Sequence, residues 1–169
     1  MTFFNGFYTD RKFFQAVFNL PGDMEKKYMH SLNISRRIMP LWSHFTLEAE
    51  GILALHHGRH KYGTQQYIEG VMALLLRYEK FPWNHIIPTS MAIAEGLSLT
   101  SSLSEREVQS RDKSRRFLNY LGVEFAITHP GYPDYSLVYR IHHRSGIFGL
   151  FDGIEGASDF YLLGIRYRF

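Results

Sequence analysis

Residues 135–145 read YSLVYRIHHRS, and their side chains alternate in character with a period of two. The first set is Tyr135, Leu137, Tyr139 and Ile141, followed by His143 and Ser145. The second set is Ser136, Val138, Arg140, His142 and Arg144. Successive side chains of a β-strand point to opposite faces. The stretch therefore predicts a strand with one largely apolar face and one charged face.

The same alternation recurs along the chain and predicts seven further strands. We expect one strand within 3–18 and others near 28–38, 45–56, 66–79, 86–100, 121–128 and 160–169. Two residues, Arg36 and Glu95, fall on an apolar face, and the pattern gives no reason for either. A chain of 169 residues allows one domain with a real core, so we interpret 1–169 as a single domain.

The connections between the predicted strands alternate in length. Three are short and rich in Pro and Trp: residues 39–43 (MPLWS), 80–85 (KFPWNH) and 129–134 (HPGYPD). The other four, near 19–27, 58–65, 101–116 and 147–156, are longer. Short turns at one end and long loops at the other are typical of an outer-membrane barrel. The predicted fold is all-β, an eight-stranded antiparallel up-and-down transmembrane β-barrel.

The distribution of charge indicates which face of the barrel points inward. The charged positions are Glu48, Glu50, Glu69, Glu124, Arg77, Arg140, Arg144, Arg166 and Arg168. An arginine facing lipid at mid-bilayer costs about 2–4 kcal/mol, so this face should line the interior, where the charges can pair. A soluble lipocalin-like lipid carrier is the rival interpretation, and it would place the apolar face inside instead.

Composition excludes several classes of protein. The net charge is +3, and no basic run is interleaved with stacking aromatics, so we expect no nucleic-acid partner. The absence of cysteine excludes disulfides and thiolate metal sites. The N-terminus shows no export signal, so a bacterial outer-membrane location requires a signal outside this sequence; otherwise the chain is cytosolic.

Three polar residues should meet on the outer face at the long-loop end. His143 and Ser145 share that face because they are two positions apart on one strand. Asp159 has the outward parity of strand 8, and an antiparallel register sets it opposite either His143 or Ser145. A serine hydroxyl needs a base to become a nucleophile, and the base needs a group that orients it. Glu155, in the preceding loop, is the second candidate for the acid.

At these residues the chain resembles the outer-membrane lipid A deacylases of the PagL type. The matching residues are His143 and Ser145 in "HRS", Asp159, and the aromatic end "RYRF" at 166–169. The chain also resembles acyloxyacyl hydrolase-like members of that family, which carry the motifs "LEAEG", "FPWN", "EGLS" and "HHRSG" that are present here. The resemblance implies a serine esterase that removes the 3-O-linked acyl chain of lipid A, or lipopolysaccharide, in the outer membrane.

The chain also departs from that family. The asparagine that usually follows the serine is Gly146 here, so a backbone N–H would have to help hold the oxyanion. The acid is an aspartate where the best-known members have glutamate. We expect no cofactor and no metal, and the sequence leaves the oligomeric state open, a homodimer included.

One short stretch of the chain is rich in histidine. Residues 56–60 read HHGRH, but no Asp or Cys lies beside them, so we expect surface histidines rather than a metal site.

The alternative to an esterase is a barrel that hydrolyses nothing and serves as a structural or lipid-binding outer-membrane protein.

Overall fold

The computed structural model describes residues 1–9, 24–60, 63–103, 116–146 and 157–169. These residues form eight β-strands. The strands are β1 (Thr2–Thr9), β2 (Met24–Leu41), β3 (Phe45–His60), β4 (Gly63–Tyr78), β5 (Thr89–Thr100), β6 (Phe117–Thr128), β7 (Tyr135–Ser145) and β8 (Ala157–Tyr167). Among the described residues there is no helix long and apolar enough to cross a membrane.

The eight strands close into one antiparallel barrel. Each strand pairs with the next in sequence order, and β8 pairs with β1 to complete the circle. The predicted eight-stranded up-and-down barrel is confirmed. Short connections join β2 to β3, β4 to β5 and β6 to β7 at one end, which we call the short-turn end. The opposite rim is the long-loop end.

Several predicted boundaries need correction. β2, predicted at 28–38, runs from Met24 to Leu41 and includes the first three residues of the turn predicted at 39–43. Residues 58–65 were expected to form a loop, but β3 and β4 remain paired until His60 opposes Gly63. β5 begins at Thr89 because residues 82–87 form a hydrogen-bonded turn. β6 begins at Phe117, four residues before the predicted start, and this extension adds a polar residue beside the candidate site.

The lumen is filled by paired charges. Arg77 donates to Glu48 at 2.9 and 3.0 Å and to Glu124 at 2.7 Å. Arg140 donates to both carboxylate oxygens of Glu50 at 2.6 and 2.8 Å and also contacts Glu124. Arg166 completes the network on Glu124. The predicted internal ion-pair network is therefore confirmed for these residues, whereas Arg168 lies exposed beyond the end of β8.

A second polar cluster lies in the lumen around Glu69. Its carboxylate is 2.7 Å from Nε2 of His56, 3.2 Å from Nε2 of His142, and 2.5 Å from the Ser98 hydroxyl that donates to it. All four side chains are buried. The expectation that the HHGRH histidines lie on the surface is wrong for His56, because its parity on β3 turns it inward. His57 faces outward and is hydrogen-bonded to His30.

The outer wall is apolar over most of its surface. Met72 is 80% exposed, Leu163 55% and Ile165 62%, although all three lie within strands. A lipocalin-like carrier needs the reverse arrangement, with an apolar lumen, so that interpretation does not fit the described residues. Arg36 adjoins the irregularity in β2 between Arg37 and Met39. Glu95 faces outward in a regular part of β5, and nothing in the structure explains it.

Candidate active site

The register of the β7–β8 pair brings a histidine and an aspartate together. Asp159 lies opposite His143, whereas Ser145 lies opposite Ala157. Of the two registers that the sequence allowed, the structure has the one that pairs the acid with the imidazole. Nδ1 of His143 is 2.7 Å from Oδ1 of Asp159. This is the distance of a charge-assisted hydrogen bond.

This contact fixes the tautomer of His143. An ionised carboxylate only accepts hydrogen bonds, so Nδ1 carries the hydrogen and donates it to Asp159. Nε2 is then the ring nitrogen turned away from the acid, with a lone pair in the neutral ring. An imidazole held in this tautomer has the form that a general base requires.

Ser145 shares the outer face of β7 with His143, two residues further along the strand. The rise of a strand separates the two Cα atoms by about 7 Å, a distance that the two side chains can bridge. Ser145 Oγ makes no hydrogen bond with any residue that the structure describes. Catalytic hydrogen bonds are often long in unliganded enzymes and tighten when substrate binds.

The candidate site is sheltered, unlike the rest of the outer wall. Asp159 and Tyr161 are each 4% exposed, although both have the outward parity of the exposed Leu163 and Ile165. On β7 the outward Ile141 is likewise buried and packs in one cluster with Tyr161. The side chain of His143 is 12% exposed. Partial exclusion of water strengthens the electrostatic interaction between the imidazole and the carboxylate.

The remaining predicted residues lie beside the site, in the lumen or outside the described residues. Gly146 is buried and comes directly after β7, next to Ser145 in the chain. Its part in holding an oxyanion stays a prediction. Glu155, the second candidate for the acid, lies outside the described residues. His142 and Arg144 point into the lumen as expected, where His142 contacts Glu69 and Arg144 donates to Ser98 at 3.0 Å.

The sequence reasoning missed one polar neighbour of Ser145. Asn119 lies directly opposite Ser145 in the β6–β7 pair and is 7% exposed. The predicted start of the sixth strand at 121 left this residue between the strand and the loop predicted at 101–116. Continuing the outward parity of Leu121 and Val123 back by one step would have found it.

The described part of the site holds one histidine, one aspartate and one serine. Among the described ranges of the chain, no three His, Asp or Glu side chains gather in a way that could hold one. The His143–Asp159 pair is instead arranged for proton transfer, with a hydroxyl on the same face. In chemical terms the arrangement can activate a serine.

Comparisons with known proteins support the fold. No family model matches the sequence, and no curated protein does. Among solved structures, the chain is similar to one described as "Crystal structure of the outer membrane enzyme PagL", with a TM-score of 0.64 and 10% sequence identity. The match covers 99% of this chain and 100% of that one. At this identity the likeness shows a shared eight-stranded barrel fold.

Proposed function

We propose that this chain is an outer-membrane serine esterase that removes an ester-linked acyl chain from lipid A, at the 3-O position. The observation that carries the proposal is the 2.7 Å contact between His143 and Asp159, on the same outer face as Ser145. Polar side chains on an apolar outer wall have no packing role, and intramembrane ionisable groups mark functional sites by default. A hydroxyl, a base and an orienting acid on one face are the parts of a serine hydrolase.

The reaction follows from these roles. Ser145 Oγ attacks the ester carbonyl carbon while its proton passes to Nε2 of His143, and the carbonyl electron pair moves onto oxygen. The tetrahedral intermediate collapses, the carbon–oxygen bond to the sugar breaks, and the departing alkoxide takes the proton from Nε2. Water then repeats the sequence on the acyl-enzyme and releases the fatty acid. Asp159 stabilises the imidazolium of His143 that forms during acylation and again during deacylation of Ser145.

The outer wall supports a location in a membrane. β7 has 11 residues, a length that spans the hydrocarbon core when the strand is tilted. Large aromatic residues lie exposed at the short-turn end, among them Trp42, Trp83 and Phe169, as expected of an interfacial belt. The outer membrane of bacteria is the membrane that holds barrels of this kind.

The position of the site supports a lipid substrate. Ser145 and His143 belong to the outside of the barrel, so their partner must lie alongside the wall rather than inside the lumen. Lipid A is an ester-linked amphiphile of the outer leaflet. We propose lipid A rather than another lipid because the "HRS" motif and Asp159 resemble the corresponding residues of the lipid A deacylases, and because the chain has the barrel fold.

A second candidate function is a barrel that binds lipid without hydrolysing it. The observation in its favour is that Ser145 Oγ makes no hydrogen bond to His143 within the described residues. A lipid-binding protein would retain the same sheltered polar patch without a nucleophile–base contact.

Ester hydrolysis by the purified barrel separates the two functions. The chain is refolded in detergent micelles and mixed with a long-chain p-nitrophenyl ester, and release of the phenol is measured. We expect turnover by the wild type and none above background by Ser145→Ala at the same folded fraction. Equal rates for both proteins, or no turnover by either, would leave the lipid-binding function.

A further inference from the structure

We infer that Asn119 is the side-chain oxyanion donor of this site, an inference that rests on the proposed esterase function. Ester hydrolysis places negative charge on the former carbonyl oxygen, and preorganised N–H groups stabilise it. In this chain Gly146 follows the nucleophile, so the residue next to Ser145 brings no side-chain donor. The amide of Asn119 supplies one from the neighbouring strand.

The register places Asn119 beside the nucleophile. Asn119 and Ser145 are direct partners in the β6–β7 pair, and both have outward parity. Directly opposed side chains on one face have Cβ atoms about 4.5–5.5 Å apart. The asparagine Nδ2 can therefore reach the oxygen of an acyl group bonded to Ser145 Oγ.

The two flanks of β7 divide the chemistry between them. On the β8 side, His143 lies opposite Asp159, which holds the proton-transfer group. On the β6 side, Ser145 lies opposite Asn119, and His143 lies opposite the apolar Leu121. An ester bound over Ser145 thus has the base two residues away along β7 and an amide donor on the β6 side.

The burial of Asn119 argues that it is more than a surface residue. It is 7% exposed, whereas Phe117 and Phe125, of the same parity on β6, are exposed. Its amide makes no hydrogen bond within the part of the chain that the structure describes. Among the described residues, the side-chain atoms that are fully buried and lack a partner are Nδ1 of His56 and Nδ1 of His142, so the amide of Asn119 stays accessible to a bound substrate. An accessible N–H donor beside Ser145 can bond the oxygen of an acyl group that arrives with the substrate.

The test compares kcat and KM for three variants of the refolded full chain with the same p-nitrophenyl ester. Asn119→Ala removes the amide, and Asn119→Asp keeps its shape but replaces the donor by an acceptor. Asn5→Ala is the matched control, an outward asparagine on β1 whose side chain contacts His30. Rates are divided by the folded fraction, measured by the shift in electrophoretic mobility on heating.

We expect Asn119→Ala to lower kcat by roughly 100- to 1,000-fold, the loss typical of one oxyanion donor, with KM within about threefold. Asn119→Asp should lose at least as much, and it decides the matter if the alanine variant does not fold. Asn5→Ala should stay within about twofold of the wild type.

The outcomes separate this inference from the proposed function. If Ser145→Ala abolishes turnover but both Asn119 variants keep kcat within about threefold, the serine esterase stands and the role of Asn119 is overturned. A rise in KM at unchanged kcat also overturns it, because that pattern means ground-state binding. If the wild type itself hydrolyses no ester, the proposed function fails and the inference fails with it.

Discussion

Asp159 Oδ1 lies 2.7 Å from Nδ1 of His143, across adjacent strands on the outside of the barrel. The contact is made by two residues that oppose each other directly, so the closure of the β7–β8 hairpin is enough to form it. It orients an imidazole toward the face that Ser145 shares. The proposed chemistry depends on that orientation and on the barrel wall that holds it.

Replacement of Asp159 by alanine should reduce turnover less than loss of the nucleophile. In a protease triad, removal of the acid costs on the order of 10⁴-fold and removal of the serine about 10⁶-fold. We expect Asp159→Ala and Ser145→Ala to follow that order in kcat for the refolded protein, provided that background hydrolysis is subtracted. An Asp159→Ala variant with unchanged kcat would mean that Asp159 does not orient the base.

The two adjacent histidines should behave in opposite ways. His143→Ala should abolish hydrolysis, because no other described imidazole shares the outer face of β7 with Ser145. His142→Ala should retain most of the turnover per folded molecule, since that ring lies in the lumen on Glu69. The loss of its buried hydrogen bond should lower the free energy of unfolding by about 1–3 kcal/mol. Loss of activity in His142→Ala, together with retained activity in His143→Ala, would contradict the faces of β7 assigned to these two side chains.

Removal of Arg140 should weaken the barrel without disabling the site. Glu50 and Glu124 would then lose a buried partner, and breaking such a pair typically costs 3–5 kcal/mol. We expect Arg140→Ala to lower the urea midpoint of unfolding, while the hydrolysis rate per folded molecule stays within about threefold. Lost turnover at unchanged stability would place the chemistry in the lumen.

A charge on the exposed apolar wall should destabilise the protein in a lipid bilayer. Met72 is a large exposed side chain within β4. Met72→Arg should lower the folding free energy in phospholipid vesicles by about 2–4 kcal/mol if the residue lies near the bilayer midplane. Tyr132→Arg, an exposed residue of the β6–β7 turn, is the control and should cost less than 1 kcal/mol by the depth dependence of that penalty. Equal costs would argue against a membrane-spanning wall.

The alternation of side chains predicted the barrel because its two faces differ so clearly in this chain. Arg140 between Tyr139 and Ile141 indicates which side of the strand points into the lumen. The same alternation placed Asp159 within reach of His143 before the register was known, since either allowed register leaves the two close together.

Three other features were not predicted from the sequence, each for a different reason. Residues 58–65 look like a loop because they are polar, yet backbone pairing extends β3 and β4 to His60 and Gly63 without apolar side chains. Asn119 was missed because it follows a charged segment. The burial of Ile141 and Tyr161 could not be foreseen, since parity tells which face a side chain is on and not whether that part of the face is exposed.

The most direct test of the central claim is the mass of lipid A from bacteria that produce this protein. Lipid A is extracted from cells carrying the wild type, Ser145→Ala or no copy, with equal amounts of barrel in the outer membrane, and is analysed by mass spectrometry. We expect the wild type alone to yield a species lighter by one ester-linked acyl chain. Identical spectra from wild-type and Ser145→Ala cells would contradict the account.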